Sequence, residues 1–279
     1  MPELGEVAYY ARQWEPGRNR PIRRVLTHPK VRVFRGLDVA WLEITLTGTR
    51  LRSIHTHGKQ MLFGFSGGRL EQRTSAWLGI HLGMAGSLAF HEGPYAPAKH
   101  DHLVLRLSGQ DALVFTDTRH FGRIRLATGK ALPTWWTALP PQVQDDTFTR
   151  DRLKAVLRRR QGSPVKAVLL RQEHFPGIGN WMADEILWRA RIHPATKAGN
   201  LSARKVTALY EAAKEVCDDA LRVIAPDWPD PLPENWLFNH RWREGGRCPR
   251  TGRPLVRETI AGRTTCYCPT VQRLPRRTA

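Results

Sequence analysis

Cysteine is scarce in this chain, with four in 279 residues. That is too few for the dense disulfide framework of a small secreted domain. Long apolar runs are missing: none approaches the ~18 residues that span a bilayer, and no basic-then-apolar leader opens the chain. The expectation is a chain that neither crosses a membrane nor is exported, and that works in the cytoplasm. No internal repeat or long low-complexity tract is visible, which sets aside solenoids and fibrous arrays. Acidic residues are also in short supply, 25 Asp+Glu against 44 Lys+Arg, for a formal net charge of +19. Such an imbalance points to a polyanionic partner, with nucleic acid ahead of a membrane surface. The length allows one large or two modest domains.

The stretch Met1-Pro2-Glu3-Leu4-Gly5-Glu6-Val7 carries the first chemistry. Once Met1 is removed, Pro2 presents a secondary amine at the chain end. An α-amino group titrates near pH ~7.7–8.0, well below lysine. A useful fraction is therefore nucleophilic at neutral pH without the burial a lysine needs. Glu3 beside it can move protons on and off the reacting group. Amine plus carboxylate is a workable Schiff-base centre; the bland alternative is a proline that merely permits methionine removal.

Residues 1–132 read mainly as strands, after a short helix from Val7 to Trp14. The β-rich runs are Ile22–Leu26, Trp41–Leu46, Gln60–Phe65, Trp77–Leu82, His102–Leu107 and Ala112–Phe115, separated by turns such as Gly67-Gly68 and Ser108-Gly109. Many short strands with that punctuation predict a β-sandwich. Residues 133–148, rich in proline and tryptophan, read as a linker. Residues 149–235 turn helical, and 236–279 show strand and turn signals. The class is α+β.

Three segments of the first part could carry chemistry. His57-Gly58-Lys59-Gln60 puts a lysine after a glycine at the mouth of a strand, where it suits a phosphate, although taken alone a solvated surface lysine is the ordinary reading. His81-Leu82-Gly83-Met84-Ala85-Gly86 sets a flexible methionine among glycines, for which core filling is the ordinary role. Asp117-Thr118-Arg119-His120-Phe121-Gly122 holds an arginine and a phenylalanine two apart. On a loop tip such a pair can wedge into a base stack, although phenylalanine near a strand end is by default core. In the helical part, Pro176-Gly177-Ile178-Gly179-Asn180 leads into a helix, and its free N–H groups with the Asn180 amide predict a phosphate seat. Met182 and Ile186, four apart, mark that helix's buried face. The arginine-dense segment from Arg150 to Arg160, with Lys166 after it, reads as a basic face.

In order, Pro2-Glu3, Gly58-Lys59, His81-Leu82-Gly83-Met84, Asp117/Arg119/Phe121-Gly122, Gly177-Ile178-Gly179-Asn180 with Asp184-Glu185, and the tail Arg263-Thr264-Thr265-Cys266-Tyr267-Cys268 make up a set. The set resembles the formamidopyrimidine-DNA glycosylase and endonuclease VIII family of base-excision repair enzymes over essentially the whole chain. The resemblance implies an N-terminal β-sandwich, a helix-two-turn-helix domain and a C-terminal hairpin finger. It implies Pro2 as the nucleophile on C1′ of a damaged nucleotide and Glu3 as general acid/base. Lys59, in the catalytic set as well, would hold phosphates with Asn180 and Arg263, and His81 would contact DNA. Met84, Arg119 and Phe121 would fill the void left by a flipped base. No cofactor is implied, because the imine itself is the electron sink. The partner is double-stranded DNA with oxidised bases or abasic sites, met by a monomer at the nucleoid.

Three positions depart from the family pattern. Gly5 stands where relatives carry a second proline, which alters rigidity more than chemistry. Residues 222–231 do not resemble the Gly-Thr-Thr-rich loop that covers an 8-oxoguanine. Cys248-Pro249-Arg250-Thr251 and Cys268-Pro269-Thr270-Val271 each keep one member of an expected Cys-x2-Cys, so a finger without zinc is expected. That hairpin would pack against Trp236 and Trp242, while a zinc held by Cys248, Cys266, Cys268 and His240 is the competing arrangement. The functional expectation is a bifunctional glycosylase/AP lyase. A structure-specific damage-binding protein with lyase activity only or none is the alternative, and a basic helix-turn-helix regulator a third that leaves Pro2-Glu3 without a role.

Overall fold

The computed structural model describes residues 1–28, 31–69, 75–242 and 244–274, and two four-stranded antiparallel sheets dominate its first half. One sheet has the order β1 (Ile22–Thr27), β6 (Asp101–Leu107), β7 (Ala112–Asp117), β5 (Gly86–His91). The other has the order β2 (Thr49–His57), β3 (Gln60–Gly67), β4 (Ser75–His81), β8 (Arg123–Gly129). Trp14, Phe63, Phe65, Leu105 and Phe115 belong to one buried cluster drawn from both sheets. The Trp14 ring lies 4.6 Å from Phe63, and its indole N–H donates to the Val114 carbonyl at 3.3 Å, which satisfies the ring's single donor. Each such side chain contributes about 1.5–3 kcal/mol by leaving water.

The expected helix at 7–14 is α1, Leu4–Arg12, beginning earlier than its periodicity suggests. The expected strand Trp41–Leu46 is instead helix α2, Val39–Leu46. Asp38 caps it, accepting from Ala40 N at 3.0 Å and Trp41 N at 3.2 Å. Leu42, Thr45 and Leu46 are the buried residues, a spacing of three and four. The β-branched and aromatic composition pointed to a strand, and the cap and the packing decided otherwise. Three strands, β2, β5 and β8, escaped notice. In β2 and β8 arginine or histidine alternates with smaller residues and leaves no run of apolar side chains.

The chain divides into two compact units, Met1–Pro2 with Glu6–Leu139 and Glu3–Gly5 with Pro140–Ala279. Residues 133–139 belong to the first, where helix α3 (Thr134–Thr137) sets the Trp135 ring over Gly79. In the second unit run α4 (Arg150–Arg159), α5 (Val165–Leu169), α6 (Asn180–Arg189) and α7 (Ala203–Val223). Thr149 and Ser202 cap α4 and α7. Every residue of α6 from Trp181 to Trp188 is buried, so this helix has no solvent face, only more core than Met182 and Ile186 marked. Gly5 is a packing position: a Cβ there would come within 2.7 Å of the Ala220 carbonyl and 3.1 Å of Ile224 Cβ. Its smallness serves close approach to α7 more than rigidity. The unit ends in a hairpin of β9 (Val256–Ile260) and β10 (Arg263–Tyr267), turned by Ala261 and Gly262 at φ +50° and +74°. Among the described residues no helix is long and apolar enough to cross a membrane.

Candidate active site

In the first unit, Gly58 at φ +56° and Lys59 form the two-residue turn between β2 and β3, with His57 paired to Gln60. Lys59 is not the solvated lysine its neighbours suggested: it is buried, with Nζ 3.7 Å from Met1 Sδ. Its ammonium therefore lies within one residue's reach of Pro2.

His81 ends β4 and accepts the Gly83 N–H through Nδ1 at 3.0 Å. Burial, then the charges of Lys59, Arg35 and Arg125, push its pKa down to about 4. The ring is neutral at pH 7 and carries its proton on Nε2, a donor rather than a cation. Gly83, at φ +64°, passes so close to the next loop that a Cβ would fall 2.6 Å from Gly122 N. That approach brings the Met84 loop against the Phe121 loop. The second loop is held by buried Asp117, which accepts Arg119 N at 3.1 Å and Gly122 N at 2.7 Å. Met84 is 37% exposed and Phe121 46%, and the Arg119 guanidinium lies 5.3 Å over the Phe121 ring. Neither side chain is core. Two large apolar groups and a guanidinium displayed together on pinned loops suit insertion between bases.

In the second unit, the Glu3 carboxylate occupies the N-terminus of α6. It accepts Gly179 N at 2.9 Å and Met182 N at 3.1 Å through Oε2, and Trp181 N at 3.0 Å through Oε1. Three of the N–H groups on which a phosphate seat was expected are therefore taken by this carboxylate, which corrects the backbone part of that expectation. The approach is possible because residue 179 is glycine: a Cβ would lie 2.6 Å from Glu3 Cγ and closer still to its carboxyl. Gln172 shapes the same turn, accepting from Gly177 N at 3.2 Å and donating to the Ile178 carbonyl at 2.7 Å. Sequence reasoning missed Gln172, whose only signal is its place just before the Gly-x-Gly turn.

Asn180 donates through Nδ2 to the Thr264 carbonyl at 2.9 Å. Lys166 donates to the same carbonyl at 2.9 Å and to Thr265 Oγ1 at 2.8 Å, and ion-pairs with Asp184 Oδ1 at 2.7 Å. Asp184 Oδ2 takes Arg241 at 2.6 Å and Cys266 N at 3.0 Å. Lys166 is fully buried, not part of a basic face, and burial holds its ammonium below the usual value against the pull of Asp184. This ionic knot fastens the hairpin to α5 and α6 and leaves Arg263 exposed at the tip, beside the turn. The structure thus joins Asn180 and the Arg263 hairpin through Thr264. The pairing of Lys166 and Asp184 with each other and with Arg241 was not foreseen, since no local pattern announces a partner eighteen or more residues away.

The finger's donor set does not fit structural zinc, which takes four Cys or His ligands in nearly every case. Cys248 Sγ receives the Trp188 indole N–H at 3.4 Å, and Cys268 Sγ meets Thr270 Oγ1 at 3.1 Å and Thr251 Oγ1 at 3.6 Å. Cys266 lies by Asp184, its thiol pushed up to about 11 mainly by burial. His240 is engaged by the Glu234 carbonyl at 3.1 Å. Among the described residues no three His, Cys, Asp or Glu side chains are grouped to hold a metal. The hairpin packs instead on Trp188 and Leu237, with Leu255 and Val271 beside them. The expected tryptophans lie elsewhere: Trp236 stacks on Trp181 at 6.1 Å, and Trp242 is 54% exposed.

A β-sandwich, a helical unit entered through Gly-x-Gly-Asn, and a buried Glu3 carboxylate next to Pro2 in sequence define a two-unit protein whose candidate chemistry lies near its N-terminus. Residues 1–124 match the formamidopyrimidine-DNA glycosylase N-terminal domain, and residues 139–226 the formamidopyrimidine-DNA glycosylase H2TH domain. The formamidopyrimidine-DNA glycosylase of Pelotomaculum thermopropionicum is 32% identical over 98% of this chain and 100% of its own. That of Roseiflexus sp. is 38% identical over 70% of this chain and 74% of its own. The chain belongs to the formamidopyrimidine-DNA glycosylase family. Its fold is that of the Lactococcus lactis enzyme solved with DNA containing an AP site, at a TM-score of 0.83 and 24% identity over 97% of this chain and 99% of that one.

Proposed function

We propose that this chain is a bifunctional DNA glycosylase/AP lyase that excises oxidised bases and cleaves abasic sites through Pro2. The observation that carries the reading is Glu3, fixed by three backbone N–H groups one residue from the candidate amine. After Met1 is removed, the Pro2 nitrogen attacks C1′ of the damaged nucleotide. The bond from C1′ to the base breaks, its electron pair leaves with the base, and the nitrogen's proton passes to Glu3. Opening of the sugar, with Glu3 returning a proton to the ring oxygen, yields an iminium. Loss of a C2′ proton and departure of the 3′ phosphate then cleave the strand. Lys59, Asn180 and Arg263 hold phosphates around the flipped nucleotide, with Lys59 close enough to the chain end to take part in proton transfer. Met84, Arg119 and Phe121 fill the gap. The enzyme works on the nucleoid in the cytoplasm, as a monomer.

The test is borohydride trapping on abasic-site duplex followed by peptide mass spectrometry. An adduct on the N-terminal peptide that begins at Pro2 is expected. Glu3→Gln is expected to reduce base excision more than imine formation on a preformed abasic site, because only excision needs the proton relay from the start. An adduct mapping to a lysine, or none, would overturn the assignment of Pro2.

A further inference from the structure

β3, β4 and β8 run side by side, with Gln60 paired to His81 and His81 to Arg123. Arg125, paired to Gly79, lies two residues on and shows its side chain on the same face as Arg123. Arg35, from the loop before α2, closes the row and donates to the Gly122 carbonyl at 2.9 Å. Together they line a cavity of 240 Å³ whose wall is Trp135, with the Arg125 guanidinium 5.4 Å over that ring. Among the described residues no carboxylate lines this cavity, and none pairs with Arg35, Arg123 or Arg125. Arg123 Nε is buried with no hydrogen-bond partner. Burial and neighbouring arginines hold the Arg35 and Arg125 guanidiniums below their usual value.

Three cations gathered without a counter-charge, one with an unanswered buried donor, form a site for an anion. Its chemistry is that of phosphate: forked N–H donors, a neutral histidine N–H beside them, and an aromatic wall that keeps one fork flat. We propose that this cavity is a phosphate track for the DNA backbone, a positioning site that takes phosphodiesters beside His81. The proposal rests on the lesion-repair reading above. Continuity with His81 and with Phe121, which borders the same cavity, favours a DNA phosphodiester over a free phosphate ion.

The experiment is salt-dependent binding of duplex carrying a tetrahydrofuran abasic analogue, for wild type, Arg123→Gln, Arg125→Gln and the pair, with folding checked by thermal melting. Removing one arginine–phosphate pairing should lower the log–log salt slope by roughly 0.9, and weaken binding at 0.1 M salt about eightfold if affinities at 1 M are equal. The double variant should lower the slope by roughly 1.8. Arg123→Lys with Arg125→Lys should keep the wild-type slope, because the slope reports charge. The two single variants report independently, so loss of folding in one leaves the other decisive. A second arm replaces chloride with inorganic phosphate at constant ionic strength and follows melting. Slopes unchanged in the Gln variants, with a phosphate-dependent rise in melting seen only in wild type, would make the cavity a free-anion site and overturn the DNA track. Unchanged slopes with no phosphate effect would overturn any anion role. Borohydride trapping of wild type decides the repair reading separately, since a missing Pro2 adduct leaves the slopes to judge the track.

Discussion

Replacing Gly179 by alanine isolates the contact on which the proposed chemistry depends. The backbone there is extended, with φ −122°, which alanine adopts without strain. The whole effect must then come from the new methyl, placed 2.6 Å from Glu3 Cγ and nearer to its carboxyl. The carboxylate has to leave the N-terminus of α6, and three N–H groups lose a charged acceptor. One buried donor left unanswered costs about 1–3 kcal/mol, and loss of the anion from a helix N-terminus about 0.3–1. Some of the N–H groups will recover water, so a loss of roughly 2–4 kcal/mol is expected. It is measurable by urea unfolding followed through tryptophan fluorescence. A shift of the acid/base group by an ångström or more should slow excision by about 10²-fold or more in single-turnover assays. The decisive comparison is a double-mutant cycle. In a Glu3→Ala background the methyl meets empty space, so Gly179→Ala should change stability by less than about 0.5 kcal/mol and leave residual activity where Glu3→Ala put it. Full additivity of the two substitutions, or wild-type excision by folded Gly179→Ala, would refute the contact as the organiser of the site.

Asp184→Asn leaves buried Lys166 and Arg241 without their anion. It should cost about 3–5 kcal/mol by denaturant unfolding and, by loosening the Arg263 hairpin, flatten the salt slope of DNA binding by roughly 0.9. Phe121→Ala should weaken binding to lesion duplex and spare undamaged duplex in anisotropy titrations; equal losses on both would mark Phe121 as a general contact. His81 is neutral when folded, with a pKa of about 4 against an unfolded value near ~6.5. Its contribution is therefore complete above pH ~6.5 and is lost as pH falls toward 4, an effect of about 2–3 kcal/mol in unfolding free energy that His81→Gln should remove. Zinc should be far below stoichiometric in elemental analysis of purified protein, and chelation should leave DNA binding intact; one zinc per chain lost together with binding would contradict the zincless finger.

The fold was legible wherever one face of an element repeats an apolar pattern. β3 is buried from Met61 to Phe65 and β7 from Ala112 to Phe115, both continuous apolar runs, and α7 states its helical period in its side chains. Legibility failed where polar residues hold a strand by its backbone, as in β2 and β8, because hydrogen bonding to neighbours leaves no mark on side-chain order. It failed at α2 for the opposite reason. Leu42, Ile44 and Leu46 suggested alternation, yet Ile44 faces outward, and Asp38 two residues before Ala40 was the truer signal.

The site divides along a similar line. Pro2 and Glu3 are adjacent, so their joint chemistry can be read from residue type alone. The Gly-x-Gly-Asn turn announced a helix end with unsatisfied N–H groups, and that inference was sound. What fills such an end is a question of distance in sequence. An anion was required, and either a phosphate or a carboxylate of this chain could provide it. The carboxylate that does so lies 176 residues away from Gly179, beyond the reach of any periodicity. Its arrival changes the role of the motif: Gly179, Trp181 and Met182 N–H answer the Glu3 carboxylate, the proposed acid/base group, in place of a substrate phosphate. Asn180, whose amide reaches the Thr264 carbonyl, is then the residue through which the same turn can face DNA, together with the exposed Arg263 beside it. One short stretch thus holds the Glu3 carboxylate in place and carries the Arg263 hairpin through Thr264.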